Sequence, residues 1–176
     1  MESNEEIMLI NVYASQSQDE RVEQRNFITT LLANRHYKKI IFGDFNEVRK
    51  ESERRGSTFD SSGALSLENF INTNDLQDLK INGGNFTWSN KLGTKHSKVD
   101  RFLVSSDTCE AWSHMEVLMI PRTFLDHSPL ILKHSFNNYG PTPFKFYNSW
   151  MKDTKFKEIL SNSWNANAGN PTDHKL

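Results

Sequence analysis

Two short apolar runs of β-forming residues, Ile7-Met8-Leu9-Ile10-Asn11-Val12-Tyr13 and Lys38-Lys39-Ile40-Ile41-Phe42, bracket a single amphipathic segment. Parallel strands need a long crossover between them, usually a helix, so this spacing predicts a local βαβ unit in a mixed sheet. Neither run alternates with polar residues, and both are expected to be strands buried on both faces, the second stopped by Gly43. Between them Ser17-Gln18-Asp19-Glu20 has capping-box spacing. Val22, Phe27, Ile28, Leu31 and Leu32 then form the apolar stripe of a helix ending near Asn34.

Farther along, the texture changes. Arg49 to Gly63 is polar and charged and is expected to be a long surface loop. Its charge run, Arg49 to Arg55, is either a solvated mixed-charge face or a contact for phosphate groups. A short helix is expected around Leu65–Ile71, closing at Asn72–Asn74. Turn residues at Asn82-Gly83-Gly84 and Asn90-Lys91-Leu92-Gly93-Thr94 then separate strands at Asn85–Ser89 and Val99–Val104. A helical stretch near Thr108–Trp112 precedes strands at Met115–Ile120 and Leu130–Lys133. Asn137–Pro143 has linker composition, Phe144–Trp150 is aromatic and extended, and Asp153–Trp164 has the pattern of a small helix. The expected division is a domain over 1–134 followed by a linker and short helix over 135–176.

Composition narrows the chemistry. With 21 basic and 22 acidic side chains the net charge is −1, so no overall field steers the chain to nucleic acid or anionic lipid, and phosphate binding needs a local site. Cys109 is the only cysteine, which excludes an intramolecular disulfide and a cysteine-based zinc site. No apolar run approaches the ~18 residues of a membrane span. The acidic start, Met-Glu-Ser-Asn-Glu-Glu, lacks the basic and apolar regions of a secretory signal, so an intracellular location is expected.

Three places could carry chemistry. Gly43-Asp44-Phe45-Asn46 follows a buried strand, where ligand groups of α/β sheets gather, although Asp44 and Asn46 could instead satisfy backbone in an Asx-turn. Asp126-His127 precedes an apolar strand and is either an acid–imidazole pair near neutral pH or a loop-stabilising pair. Asp100 is an acid within a strand and must be paired, with Arg101 or Lys98 or by orienting His127. Hard oxygen donors in this order suit metal-assisted phosphoester chemistry with magnesium.

Taken together, Asn11-Val12-Tyr13-Ala14, Gly43-Asp44-Phe45-Asn46, Phe86-Thr87-Trp88, Ser97-Lys98-Val99-Asp100-Arg101 and Asp126-His127-Ser128-Pro129 resemble the endonuclease/exonuclease/phosphatase family. Ser52-Glu53-Arg54-Arg55-Gly56, Thr87-Trp88-Ser89-Asn90 and Pro143–Trp150 are similar to the endonuclease region of plant LINE-type (non-LTR) retrotransposon polyproteins. The resemblance implies an α/β (α+β) fold, the C-terminal half of a deoxyribonuclease I-like two-layer β-sandwich flanked by helices. It implies DNA as partner, a nuclear location and magnesium-dependent nicking of phosphodiesters. Asp44 would position or deprotonate water, Asn46 and His127 would hold the scissile phosphate, and Asp100 would fix the His127 tautomer. Asp126 would help hold the metal, Tyr13 would donate to a phosphate oxygen from the floor of the site, and Thr87 would lie near the DNA groove.

The same resemblance implies a magnesium-binding glutamate in a half that precedes Ile7. Glu2, Glu5 and Glu6 do not match that glutamate motif, and Leu125 stands where a serine is common. The expectation is therefore an N-terminally truncated, inactive endonuclease domain that self-associates through exposed sheet edges. Alternatives are a small-substrate phosphatase of the same superfamily or a non-catalytic binding or dimerising remnant.

Overall fold

β1 (Ile7–Tyr13) and β2 (Lys38–Asp44) lie side by side in parallel, from Ile7 opposite Lys38 to Tyr13 opposite Asp44, with α1 (Gln18–Leu32) as the crossover. The computed structural model describes residues 6–33, 37–122, 125–134 and 152–167. The chain divides into two compact units, 1–136 and 137–176. In the first, a one-turn 3-10 helix (Glu51–Glu53), β3 (Arg54–Arg55) and α2 (Ser61–Thr73) follow β2. Then come β4 (Leu76–Asp78), β5 (Ile81–Asn82), β6 (Trp88–Ser89), β7 (His96–Ser97), β8 (Asp100–Ser105), α3 (Ser106–Ala111), β9 (Met115–Met119) and β10 (Leu130–His134). In the second unit the described element is α4 (Thr154–Asn167), on which Ile159, Leu160 and Trp164 are exposed.

The main sheet has the order β1-β2-β8-β4, with β8 antiparallel to both its neighbours. A period of two sorts its side chains. Val12, Ile41, Leu103 and Leu76 share one face and pack with Ile28 and Leu32 of α1 and Leu67, Phe70 and Ile71 of α2. The opposite face carries one row across three strands, Tyr13, Asp44 and Asp100. Two smaller sheets, β10-β9-β5 and β3-β7-β6, complete the unit.

Several expectations need correction. β1 is buried on one face only: Leu9 is 63% and Tyr13 82% exposed. It is an edge strand, bonded to β2 alone, and its outer face is not covered by the described residues. Gly43 does not stop β2 but lies within it at φ +125°, where a Cβ would sit 2.1 Å from the Val12 carbonyl oxygen. The strand expected at Asn85–Ser89 shortens to β6. The linker at 137–143 and the extended segment at 144–150 lie outside the described residues.

The helix face is also not the expected stripe. Arg21, Arg25, Ile28 and Leu32 are buried, whereas Phe27 and Leu31 are exposed. Arg21 can turn inward because its two terminal nitrogens find partners there, Nη2 at 3.0 Å from the buried Glu47 carboxylate and Nη1 donating to the Ser15 and Gln16 carbonyls at 3.2 and 2.7 Å. Ser17 makes no side-chain cap; the Ser15 hydroxyl donates to Glu20 instead. Asp60 does cap α2, accepting from the amides of Ser62 and Gly63.

The run Arg49 to Arg55 is neither a plain solvated loop nor a free cationic patch. Arg49 holds Glu68 and Asp78, Glu53 holds Arg101, and β3 is zipped to β7. Among the described residues, no helix is long and apolar enough to cross a membrane.

Candidate active site

The row at the end of β2 is where the polar groups converge. Beyond Asp44 the chain turns sharply: the Phe45 amide donates to the Val99 carbonyl, and its buried ring anchors the turn. Asn46 takes a left-handed φ of +47°, which asparagine tolerates better than most residues. Its amide donates to Asp44 Oδ1 at 2.8 Å and its Nδ2 to the Ala14 carbonyl at 2.6 Å. An Asx-turn is thus present, yet it occupies only one oxygen of Asp44. Burial above all raises the Asp44 carboxyl above its ordinary range; the Asn46 amide opposes this, and nearby Asp100 and Asp126 add to it.

Asp100 lies directly opposite Asp44 in the ladder. Its Oδ2 is 2.9 Å from His127 Nδ1. A carboxylate at this distance can accept from Nδ1–H, and the tautomer that donates there carries its acceptor lone pair on Nε2. Of the three partners open to Asp100 in sequence, the structure selects histidine. Strand alternation sends Arg101 to the other face, where it is fully buried against Asp78 and Glu53, and Lys98 joins the same two acids.

The loop bearing His127 is stitched to the segment before β7. Ser128 N–H donates to the Thr87 carbonyl at 2.7 Å, Ser89 N–H to the Asp126 carbonyl at 3.0 Å, and Trp88 and His127 form an isolated β-bridge. The Asp126 carboxylate is solvent-exposed and accepts from the Trp88 indole N–H at 3.1 Å. That bond, ahead of its own backbone amide, lowers the Asp126 carboxyl below the usual range. Asp44, Asp100, Asp126 and His127 therefore meet in one place, with Asn46 in the adjoining turn.

Two candidates are placed differently from expectation. Tyr13 is not on a floor: it borders Asp44 but stands 82% exposed at the rim. Thr87 is 1% exposed, and its hydroxyl accepts from the amides of Val99 and Asp100, both at 3.0 Å, which leaves no surface for a DNA groove. Conversely, Arg122, which donates to the Ser89 and Asp126 carbonyls, escapes notice in the sequence, and Trp88 stands there within the family motifs but without a role.

A sequence profile of the endonuclease-reverse transcriptase family matches residues 7–131. The chain belongs to the endonuclease-reverse transcriptase family. No curated protein sequence matches it. Among solved structures it is similar to a 3′-5′ exonuclease, NExo, from Neisseria meningitidis, at 17% identity and a TM-score of 0.60 over 74% of this chain and 62% of that one. The 3′-phosphatase NExo from Neisseria bound to a product DNA hairpin gives 16% identity, the same TM-score and the same coverage. The endonuclease domain of TRAS1, a telomere-specific non-LTR retrotransposon, gives 17% identity and a TM-score of 0.52 over 75% of this chain and 59% of that one. The family's α/β, deoxyribonuclease I-like fold is thereby established for this chain, which spans about 62% of the NExo structures.

The donor chemistry fits a hard divalent cation of the kind expected for this family: carboxylate oxygens, no thiolate, and the like charges of Asp100 and Asp126 near Asp44. In number the fit is partial. Among the described residues no group of three Asp, Glu, His or Cys side chains is arranged to hold an ion. Asp126, exposed and ionised, is the carboxylate most available to one.

Proposed function

We propose that this family member binds a DNA phosphodiester at Asn46 and His127 and that its ancestral reaction is magnesium-dependent hydrolysis of that bond. The observation that carries this is the Asp100–His127 pair at 2.9 Å, one strand across from a buried Asp44 whose carboxyl burial raises above its ordinary range. An acid tuned upward is a better proton acceptor for water than an ordinary surface aspartate. Asp44 would take the proton from the attacking water. His127, its Nδ1 proton committed to Asp100, would offer Nε2 to the phosphate or leaving oxygen. Asp126 would hold magnesium, which when bound supplies positive charge to the nonbridging oxygens. Tyr13, at the rim, would donate to a phosphate oxygen from the side. On this view residues 135–176 correspond to the linker that in such elements leads toward a reverse transcriptase, lost or absent here, and a DNA substrate is in keeping with a nuclear location.

We further infer that these 176 residues alone are a poor nuclease, because one exposed carboxylate is a weak seat for a cation that two would hold more tightly. Plasmid nicking with magnesium and oligonucleotide binding test both parts. The expected result is at most a trace of nicking, and an oligonucleotide affinity that falls on Asn46→Ala and on His127→Ala. Robust nicking abolished by Asp44→Ala would overturn the inactivity. Affinity indifferent to Asn46 and His127 would overturn the site.

The exposed Ile7 and Leu9 on an edge strand favour a second reading, a binding module that pairs with its own copy along β1. A concentration-dependent dimer in size-exclusion chromatography, lost on Leu9→Lys, would support it; a monomer at all concentrations would exclude it. Release of phosphate from a small phosphate monoester, with no effect on DNA, would instead make the chain a phosphatase.

A further inference from the structure

Thr87-Trp88-Ser89 has no acid and no imidazole, yet three of the proposed reacting groups are fastened to it. The Thr87 hydroxyl accepts from two consecutive amides, Val99 and Asp100. Consecutive amides of a regular strand point to opposite sides, so a single acceptor can take both only where the backbone bends. That bend lies where Asp100 enters β8 and turns its carboxylate to His127. The Thr87 carbonyl receives the Ser128 amide, one position beyond His127. The next side chain, Trp88, donates its indole N–H to Asp126 Oδ2.

We propose that Thr87 and Trp88 are positioning residues of this site. Thr87 sets the Asp100 backbone and the His127 loop at a fixed separation, and Trp88 holds one Asp126 oxygen so that the other is presented to a ligand. The proposal rests on the functional reading above only in taking Asp100, Asp126 and His127 as the reacting groups. A threonine serving only as packing would be replaced by valine without consequence, since the two share a shape. Here valine would strand two amides beside a buried methyl group, whereas serine would keep the acceptor.

The test uses the 15N-labelled 176-residue chain without DNA or metal, so its outcome is separate from that of the binding assays. In Thr87→Val, amide exchange at Val99 and Asp100 should quicken at least tenfold and the downfield His127 Nδ1 proton resonance should weaken, while the β1–β2 amides keep their rates. Thr87→Ser should restore both signals. In Asp126→Asn the Trp88 indole resonance should move upfield, and Trp88→Phe should leave the Thr87 signatures intact. Unchanged exchange in Thr87→Val, an equal rise throughout β1 and β2, or a serine variant that behaves like valine would overturn the role of Thr87. An unmoved indole resonance would overturn that of Trp88. If Thr87→Val does not fold, Thr87→Ser decides the Thr87 arm by keeping or losing the His127 signal. Intact signatures with no DNA affinity would sink the functional reading and leave the positioning roles of Thr87 and Trp88 standing.

Discussion

Arg101→Met withdraws the charge on which two half-buried acids, Glu53 and Asp78, lean. The Arg101 side chain is fully buried, with Nη1 2.6 Å from Asp78 Oδ2 and Nη2 bonded to Glu53 and the Lys98 carbonyl. Methionine fills much of that volume but donates nothing, leaving side chains that are only 16% and 4% exposed with less compensation. Removing one partner of a buried ion pair costs about 3–5 kcal/mol. Lys98 remains 3.2 Å from Asp78 and Arg49 3.3 Å from it, so the lower end, about 3 kcal/mol, is expected. With a urea slope of roughly 1–3 kcal/mol/M, the midpoint should fall by about 1–3 M.

The loss has a pH signature. Burial pushes the Glu53 carboxyl up, but the Arg101 hydrogen bond and charge, the Arg49 amide and Lys98 outweigh it and hold it below its ordinary range. A carboxyl lowered by folding adds stability above its unfolded value, about 4.3, and loses it as pH falls through the folded value. The variant lacks most of that contribution, so the gap to wild type should be widest at pH 7 and narrow in acid. Urea melts followed by circular dichroism at both pH values measure it. A gap under about 1 kcal/mol at pH 7, or one that widens in acid, would refute the reasoning.

Asp44→Asn should act in the opposite direction. Its carboxyl is raised by burial, so the folded chain gains stability as pH falls, and at pH 7 the charge is a cost; asparagine should be more stable than wild type at pH 7, and that gain should vanish in acid. A destabilised Asp44→Asn at pH 7 would contradict this. Gly43→Ala forces a Cβ onto the Val12 carbonyl at a positive φ and should cost at least about 3 kcal/mol, read as a lowered thermal midpoint; a neutral effect would show that the β1–β2 contact is wrongly placed. Asp60→Ala should cost about 1 kcal/mol, because Ser62 and Gly63 lose their acceptor at the start of α2. Asp60→Asn, which keeps an acceptor, should cost less.

Much of the architecture is legible because it is written in local patterns. A β-run, a helix and a second β-run predict the parallel pair, and Asp44, Asp100 and Asp126-His127 are each tied to a strand end, where a sheet brings distant residues together. What the sequence hides is pairing at a distance. Arg21 looks like the solvent face of α1 until Glu47, 26 residues beyond it, supplies the buried partner, and Arg25 does so until the Ser66 hydroxyl accepts from it. Asp100 could have paired with Arg101 or Lys98 until alternation and Asp78 removed them from its side of the sheet. Thr87 resembles a groove residue by motif, but its hydroxyl is already committed to the backbone of β8 and the residue before it. Hydrophobic periodicity sees none of these, because each depends on which polar atom finds its complement after the chain has closed.

The central claim is that Asn46 and His127 receive a DNA phosphate. A titration of the 15N-labelled chain with a short DNA duplex, followed through the Asn46 side-chain amide and the His127 ring nitrogens, tests it most directly. The account predicts that these signals move first and furthest, together with the amides of Asp100 and Asp126, and that Asn46→Ala weakens the response. Shifts centred instead on the groove between α1 and α2, around Val22, Leu65 and Phe70, with His127 unmoved, would contradict it.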